Sequence, residues 1–443
     1  MTLFNRGFHK MTAIFGIRRE DKNQWEQRTP IIPKHMKKLI DNAHIHCVVQ
    51  PSPIRIFTDN SYKKEGATID EDLSSCSVIF AVKEIPRKLF ERQKTYVFFS
   101  HVIKGQKYNM PMLKELMRKK CTLIDYEKIL DEHNRRLIFF GTFAGISGMV
   151  DTLYTLGKRW KQQGISTPFK HIKRTYEYQG LTNLKEHIAN IGDEIKSGGI
   201  IDTIKPIVIG FAGYGHVSQG AQEILNLLPV KEIAPEQLPF MENKQSNDTI
   251  YKVVFKEEDM VMRVDQSRPF HLQEYYAHPD CYQSKFHRYL PSLTVLMNCI
   301  YWDDRYPRLV TRDQIKDLFK KDILKLQVIG DISVDINGSI EMTSRVTTPD
   351  HPSYVYQPDT DQITDDLSKK GVAIMAVDNL PCELPQESSE EFSTALLPLV
   401  PVIVKTDYSK SFTTLSLPPE IKRAVIVHQG MLAPSYKYLQ KFL

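Results

Sequence analysis

The sequence predicts an α/β fold of two Rossmann-like doubly wound domains separated by a cleft. Three observations predict it. The first third alternates strand-like and helix-like segments, which implies a parallel sheet with both faces covered. A second strand, glycine-rich turn and helix stand at Lys205–Leu228. The chain has 443 residues, too many for one ordinary core and suited to two domains. With 41% hydrophobic and 25% charged residues, the composition is that of a soluble globular protein.

Taken in order, Ala13–Ile17 reads as a strand, Pro33–Asn42 as a helix with proline in its first turn, and His46–Gln50 as a strand. Ser77–Val82, Thr95–His101 and Thr122–Tyr126 are further short apolar runs. A helical stretch follows at Gly141–Lys161. Its glycines 141, 145 and 148 permit close backbone approach at some cost in helix stability, and it reads as the connection between domains. After Leu228 a polar region, Pro229–Ser292, reads as an insertion between sheet strands with a hairpin around Tyr251–Val264. Strands return at Thr294–Tyr301, Leu326–Asp331 and Gly371–Val377, and the tail from Glu390 holds a helix and a strand at Ala424–Val427. The division expected is 12–140 plus 381–443 as the substrate-binding catalytic domain, and 141–380 as the dinucleotide-binding domain.

Several function classes are disfavoured. A formal charge of +6 is modest at this length, and the lysines and arginines form no basic block, so no nucleic-acid partner is expected. No apolar run approaches the roughly 18 residues of a membrane helix, and Ala395–Val404 is broken by Pro398 and Pro401. The six cysteines form no CxxC pair, which argues against a zinc site or a disulfide framework and for a reducing compartment. The first eleven residues carry Arg6, His9 and Lys10 and no acid. That fits a short mitochondrial presequence, hence the matrix, and equally a frayed tail with Met11 as a second start, hence the cytoplasm.

The sharpest local signal is the apolar strand from Ile207 running into Gly213-Tyr214-Gly215-His-Val-Ser218 and then a helix. In such a loop the first glycine makes the turn and the second lets backbone approach a pyrophosphate. The third position, here Ser218, needs a small residue, and the helix N-terminus offers N–H donors. The next strand is expected at Val230–Ala234. A cofactor without a 2′-phosphate usually meets an acid at the end of that strand. Ala234 stands there, which favours NADP(H), whereas a shifted alignment gives the role to Glu236 and admits NAD(H).

Lys83 and His101 each follow an apolar run, at the strand ends where open α/β sheets bind ligands. A lysine near cations or apolar walls loses basicity and histidine titrates near neutrality, so the two could share proton transfers. Arg28, Arg135 and Arg136 carry forks suited to carboxylates, though each alone reads as a surface residue. Asp331-Ile-Ser333-Val-Asp335 alternates acids beside a glycine turn but lacks the spacing of a calcium loop. Hydrogen bonds to substrate or cofactor are the preferred reading, and no metal is expected.

Together these segments resemble the lysine–ketoglutarate reductase family, also called lysine-forming saccharopine dehydrogenase, and more distantly alanine dehydrogenase. The supporting blocks are Arg18-Arg-Glu-Asp-Lys-Asn-Gln-Trp-Glu-Gln-Arg-Thr-Pro, Tyr96-Val-Phe-Phe-Ser-His-Val-Ile-Lys, Ile124-Asp-Tyr-Glu, Asn298-Cys-Ile-Tyr-Trp, Gly338-Ser-Ile-Glu and Ala376-Val-Asp-Asn-Leu-Pro. The chain looks like the reductase half of the animal bifunctional aminoadipic semialdehyde synthases. The resemblance implies NADPH-dependent condensation of L-lysine with 2-oxoglutarate to saccharopine, in lysine degradation, with a homo-oligomer allowed. Carried over by position, Lys83 and His101 form the acid–base pair. Arg28, Gln106, Arg136, Phe140, Ser333 and Asp335 contact substrate. Arg135, Gly213, Tyr214, Gly215, Ser218, Tyr301, Ile332, Val377, Asp378, Asn379 and Leu380 contact the cofactor. Two other readings stand beside this one: an alanine-dehydrogenase-like deaminase, and a catalytically silent nucleotide-binding subunit.

Overall fold

The computed structural model describes residues 13–243, 246 and 248–443. The first eleven residues, on which the presequence expectation rests, lie outside the described residues. Two compact units divide the chain, one comprising residues up to Phe140 together with Pro385–Leu443, the other Gly141–Leu384.

The first unit begins with β1 (Ala13–Ile17), α1 (Pro33–Ala43), β2 (Ile45–Val49), α2 (Asp59–Lys64), β3 (Thr68–Ile69), β4 (Val78–Phe80), β5 (Thr95–Phe98), α3 (Met110–Arg118) and β6 (Thr122–Asp125). Proline opens α1, whose Met36 and Leu39 face the core, and His44 ends it at φ 52° in the left-handed region. Strands β4, β5 and β6 are buried throughout, as central parallel strands with both faces covered must be.

The second unit contains α4 (Gly141–Gln162), α5 (Gly180–Gly198), β7 (Val208–Ala212), α6 (His216–Leu225), β8 (Val230–Glu232), β9 (Ile250–Phe255), α7 (Glu257–Met260), β10 (Val261–Arg263), α8 (Leu272–Ala277), β11 (Tyr282–Ser284), β12 (Val295–Asn298), α9 (Arg312–Lys320), β13 (Val328–Asp331), β14 (Ser353–Gln357), β15 (Gln362–Thr364) and β16 (Val372–Met375). The chain then completes the first unit with α10 (Pro385–Leu396), α11 (Val400–Lys405), α12 (Pro419–Ala424), β17 (Val425–His428) and β18 (Met431–Leu432).

Each unit holds one eight-stranded sheet, ordered β18-β17-β6-β5-β4-β1-β2-β3 in the first and β15-β14-β16-β13-β12-β7-β9-β8 in the second. β1 to β6 are mutually parallel, with β17 and β18 added antiparallel at one edge. In the second sheet β8, β9, β7, β12, β13 and β16 are parallel, and the β14–β15 hairpin extends the far edge. Because the chain leaves β7 toward β9 on one side and returns to β12 on the other, the order reverses at β7, where such sheets open a ligand crevice.

Two sequence expectations need correction. Tyr251–Val264 is not a hairpin: β9 lies parallel between β7 and β8, and β10 pairs instead with β11. Nearly every residue of β9 is buried, so its apolar run belongs to an interior strand of the main sheet. Likewise α4 is a packed helix of the second unit and not only a connection. Ile146, Met149, Val150, Leu153, Leu156 and Trp160 are all buried in its core. Arg159 on the same helix is also buried and donates to the carbonyls of Leu367, Lys369 and Gly371. Burial lowers that guanidinium to about 10.

The glycines of α4 work as their spacing suggests. A Cβ on Gly145 would lie 1.9 Å from the Val217 carbonyl oxygen, and one on Gly220 would lie 2.1 Å from that of Thr142. Only hydrogen atoms fit where α4 crosses α6, and the crossing fixes α6 at the end of β7.

Candidate functional site

In the first unit the candidate residues gather at the carboxyl ends of neighbouring strands. Lys83 lies just past β4 and His101 just past β5. Glu84 joins these two strand ends. One carboxylate oxygen is 2.7 Å from His101 Nδ1, and the other accepts from Lys22 Nζ at 3.1 Å. Burial pushes the Glu84 carboxyl up, but the hydrogen bond and charge of His101, with Lys22, prevail and hold it at about 2. An ionised Glu84 therefore fixes the imidazole, and its bond to Nδ1 leaves Nε2 as the outward nitrogen.

His101 is held in the left-handed region at φ 50°, uncommon for a residue with a Cβ. Asn109 Nδ2 donates to the carbonyls of Ser100 and His101 at 3.1 and 3.2 Å, and the Ser100 hydroxyl donates to buried Asp125. The backbone on the Lys83 side is pinned as tightly, since the Glu20 carboxylate accepts the N–H groups of Val82 and Lys83 at 2.6 and 3.0 Å. Burial and the nearby Glu26 raise Glu20 to about 7. Lys83 itself is pulled below the usual lysine range, first by burial and then by the charge of Arg28. That is what a lysine acting as a neutral base requires.

Arg28 is not the surface arginine that its residue type alone suggests: it is 2% exposed. Glu26 accepts from its Nε at 2.8 Å and from a terminal nitrogen at 2.5 Å. Its guanidinium lies 4.2 Å from the centre of the Phe140 ring, which stacks on Phe392 of α10 at 4.5 Å. Gln106 accepts from the Tyr108 hydroxyl at 3.2 Å in the loop that carries His101. Arg136 pairs with Glu127, just past β6. Arg135, expected among cofactor contacts, belongs to this unit, where its exposed side chain pairs with Asp131 at 2.7 Å.

In the second unit, the cofactor candidates line the carboxyl edge of the sheet around β7. Gly213 has φ +94°, and a Cβ there would meet Ile300 and the Cys299 carbonyl. Gly215 is different: its φ is −74°, and a Cβ would project into open space. It forms the N-cap of α6 with no side-chain hydrogen bond to the first turn. An uncapped helix start behind a bare backbone suits a pyrophosphate, so these residues fit a dinucleotide. Ser218 is buried and accepts from Gln222 at 2.9 Å. Close approach between α6 and α4 is made by Gly220 and Gly145. Tyr214 and Tyr301 are exposed, as is Asp378, whereas Val377 and Leu380 are buried and Ile332 packs with them beneath Gly148.

The acidic segment after β13 behaves differently from expectation at its first residue. Asp331 is fully buried and accepts from Asn298 and Ser333 at 2.8 Å and from Thr343 at 2.5 Å. Burial raises its carboxyl. Asp331 thus organises the loop that presents Ser333 and Asp335, with its own oxygens committed to protein donors. No group able to hold a metal occurs among the described residues.

Sequence reasoning missed Glu20, Glu26 and Glu84. All three stand beside residues it did select, but which acid meets which base depends on strand order. The strand it expected after α6 is present as β8, but the order of strands beside the glycine loop was not legible. The strand next to β7 is β9, not the one following α6, and Gly213 N–H donates to the Phe255 carbonyl at 3.0 Å.

Comparison with known proteins places this arrangement. The model for the alanine dehydrogenase/PNT N-terminal domain matches residues 16–147, and that for the C-terminal domain of the same family matches residues 285–434. The chain belongs to the alanine dehydrogenase/PNT family. Both catalytic candidates lie inside the first match, and Gly213–Ser218 lies outside both. The chain is 39% identical to an alpha-aminoadipic semialdehyde synthase of Arabidopsis thaliana over 97% of its length, which is 41% of that protein. It is 35% identical to the mitochondrial alpha-aminoadipic semialdehyde synthase of Bos taurus over 99% of its length, 48% of the relative. The chain thus spans less than half of each of these relatives. A lysine-forming saccharopine dehydrogenase of Yarrowia lipolytica, named for NAD(+), is 25% identical over 89% of the chain and 94% of its own length. Among solved structures, an L-alanine dehydrogenase superposes with a TM-score of 0.62 at 16% identity, covering 97% of this chain and all of its own. That likeness shares the two-domain α/β fold.

Proposed function

We propose that this chain condenses L-lysine with 2-oxoglutarate and reduces the resulting imine to saccharopine, a step of lysine degradation. The observation that carries the reading is the join between Lys83, Glu84 and His101 at two adjacent strand ends, with buried Arg28 as the cation that lowers Lys83. The names of the relatives supply the substrate class. In this reading the first unit is catalytic and the second binds the dinucleotide.

The chain's own groups do the following. Arg28 and Arg136 hold substrate carboxylates, and Arg28 does so from a guanidinium already seated over the Phe140 ring. Lys83, whose basicity is lowered by burial and then by the charge of Arg28, takes a proton from the attacking amine. His101, oriented through Glu84, delivers a proton to the departing hydroxyl as water is lost. Gly213, Tyr214, Gly215, Tyr301, Ile332 and the Val377–Leu380 segment would hold the nicotinamide dinucleotide. When bound, it supplies the hydride that reduces the imine carbon. The protein orients and shields that carbon, which is where most of the rate enhancement from positioning arises.

The test is direct. The purified chain is mixed with L-lysine, 2-oxoglutarate and reduced nucleotide, nucleotide oxidation is followed optically, and saccharopine is sought by mass spectrometry. Turnover with ammonia and pyruvate, but none with lysine and 2-oxoglutarate, would instead identify an alanine-dehydrogenase-like enzyme. Tight nucleotide binding without turnover of any amino–keto pair would identify a silent subunit. A mitochondrial location is proposed, because the Bos taurus relative is a mitochondrial synthase. Imaging of the tagged protein tests it.

A further inference from the structure

Which nucleotide the second unit takes is written at the end of β9. In a doubly wound sheet, the strand that flanks the glycine-loop strand on the side away from the crossover ends beside the adenosine ribose. An acid there accepts the ribose hydroxyls, whereas a cation accommodates a 2′-phosphate. The sequence alone places that corner at Ala234 and finds no acid. The sheet order moves it to the residues after Phe255, because β9 lies between β7 and β8. The bond from Gly213 N–H to the Phe255 carbonyl ties this strand end to the glycine turn itself.

The acids Glu257 and Asp259 are half-buried at this corner. The Glu257 carboxylate accepts from the Tyr276 hydroxyl at 2.7 Å. It also lies against Tyr214, the residue between the two glycines, whose phenol is raised by burial and then by Glu257. The neighbouring acid Asp259 is turned back to accept the Lys256 N–H at 2.8 Å. Of the three acids here, Glu258 is exposed and Asp259 is turned back, and the Glu257 carboxylate is the one anchored by Tyr276 beside Tyr214. It has acceptor capacity left for a pair of hydroxyls, and a 2′-phosphate would have to approach it as a like charge. Lys256, beside it, is exposed.

We propose that Glu257, positioned by Tyr276, accepts the adenosine ribose hydroxyls and turns away a 2′-phosphate, so that this chain takes NAD(H) in preference to NADP(H). The proposal rests on the dinucleotide-binding reading of the second unit and reverses the NADP(H) preference drawn from Ala234.

Equilibrium binding tests it without turnover. The full chain is titrated by calorimetry with ADP-ribose and with its 2′-phosphorylated form, and unfolding temperature is recorded for every variant. Wild type is expected to bind ADP-ribose at least tenfold more tightly. Glu257→Gln should bring the two affinities within about threefold at an unchanged unfolding temperature, and Tyr276→Phe should narrow the ratio by a smaller factor. Equal or tighter binding of the 2′-phosphorylated form by wild type, lost in Lys256→Ala, would make Lys256 the determinant and overturn the proposal while leaving the dinucleotide reading intact. A ratio unmoved by Glu257→Gln would overturn it too. If neither compound binds, the dinucleotide reading falls with it.

Discussion

Two glycines, 145 and 215, make opposite demands on an added methyl group, and alanine at each separates the scaffold from the site. At Gly145 a Cβ would sit 1.9 Å from the Val217 carbonyl oxygen and 2.7 Å from the Ala221 nitrogen. Carbon and oxygen pack at about 3.3 Å, so α4 and α6 must part by roughly 1.4 Å. Overpacking of this kind costs about 1–3 kcal/mol, offset by up to about 1 kcal/mol of helix propensity. A net loss near 2 kcal/mol lowers the unfolding temperature of a unit this size by roughly 4–8 °C. It also displaces α6, so nucleotide affinity falls as well. Gly198, at the end of α5, has nothing within 4 Å, and Gly198→Ala should leave the unfolding temperature unchanged or raise it. At Gly215 the methyl enters open space at an ordinary φ, so Gly215→Ala should stay within about 0.5 kcal/mol of wild type in stability. Its methyl nevertheless stands where a pyrophosphate must approach, and ADP-ribose should bind at least tenfold more weakly. Calorimetric unfolding with ADP-ribose titration reads both quantities. An unaltered unfolding temperature in Gly145→Ala would refute the close crossing, and normal binding by Gly215→Ala would refute the cradle.

Further outcomes follow from the first unit and from one buried pair. Lys83→Met and His101→Gln should each slow turnover by about 10²–10⁴ while ADP-ribose binding is retained; steady-state kinetics with the same titration checks this. If Lys83 works as a neutral base, kcat rises with pH through its depressed pKa. Arg28→Met removes one cause of that depression and should shift the acid limb of the pH–rate profile to higher pH, in addition to weakening substrate binding. In the second unit the buried carboxyls of Asp151 and Glu383 face each other. Burial raises both, Asp151 to about 6, and Asp151 raises Glu383 further. Both folded values lie above the unfolded ones, so this pair favours the folded state below about pH 4, and that contribution is lost as pH rises through 6 and beyond. Denaturant titrations from pH 5 to 8 should therefore show stability falling with pH, with a shallower slope in Glu383→Gln. An unchanged slope would remove the pair from the account.

Elements set by local pattern were legible in the sequence. The runs at Val78–Phe80, Thr95–Phe98, Val208–Ala212 and Val295–Asn298 are short, apolar and bounded by polar residues. Burial on both faces leaves such strands little choice of residue type. The turn at Gly213 was legible because φ +94° there needs glycine, whereas Gly215 has an ordinary φ and open space beside it. Order within the sheets was not. No local feature of Ile250–Phe255 says that it lies inside β8, so the strand was read as part of a hairpin and the ribose corner was placed at Ala234.

The same limit explains which charged residues were found. Lys83 and His101 could be selected because each directly follows an apolar run, a purely local property. Glu84 follows Lys83 at once, yet nothing local marks it, because its partner is 17 positions away on the adjacent strand. Glu20 is more remote still, 62 residues before the backbone N–H of Val82 that it accepts. Yet these acids determine what the bases can do. Glu84 holds His101 Nδ1, Glu20 accepts the N–H groups at the start of the Lys83 segment, and Glu26 accepts from Arg28 over the Phe140 ring, where its charge bears on Lys83. A sequence can thus nominate candidate bases, but the fold brings to them the carboxylates Glu20 and Glu84. The dinucleotide corner obeys the same rule, since Glu257 becomes a candidate for the ribose only once β9 is known to lie next to β7.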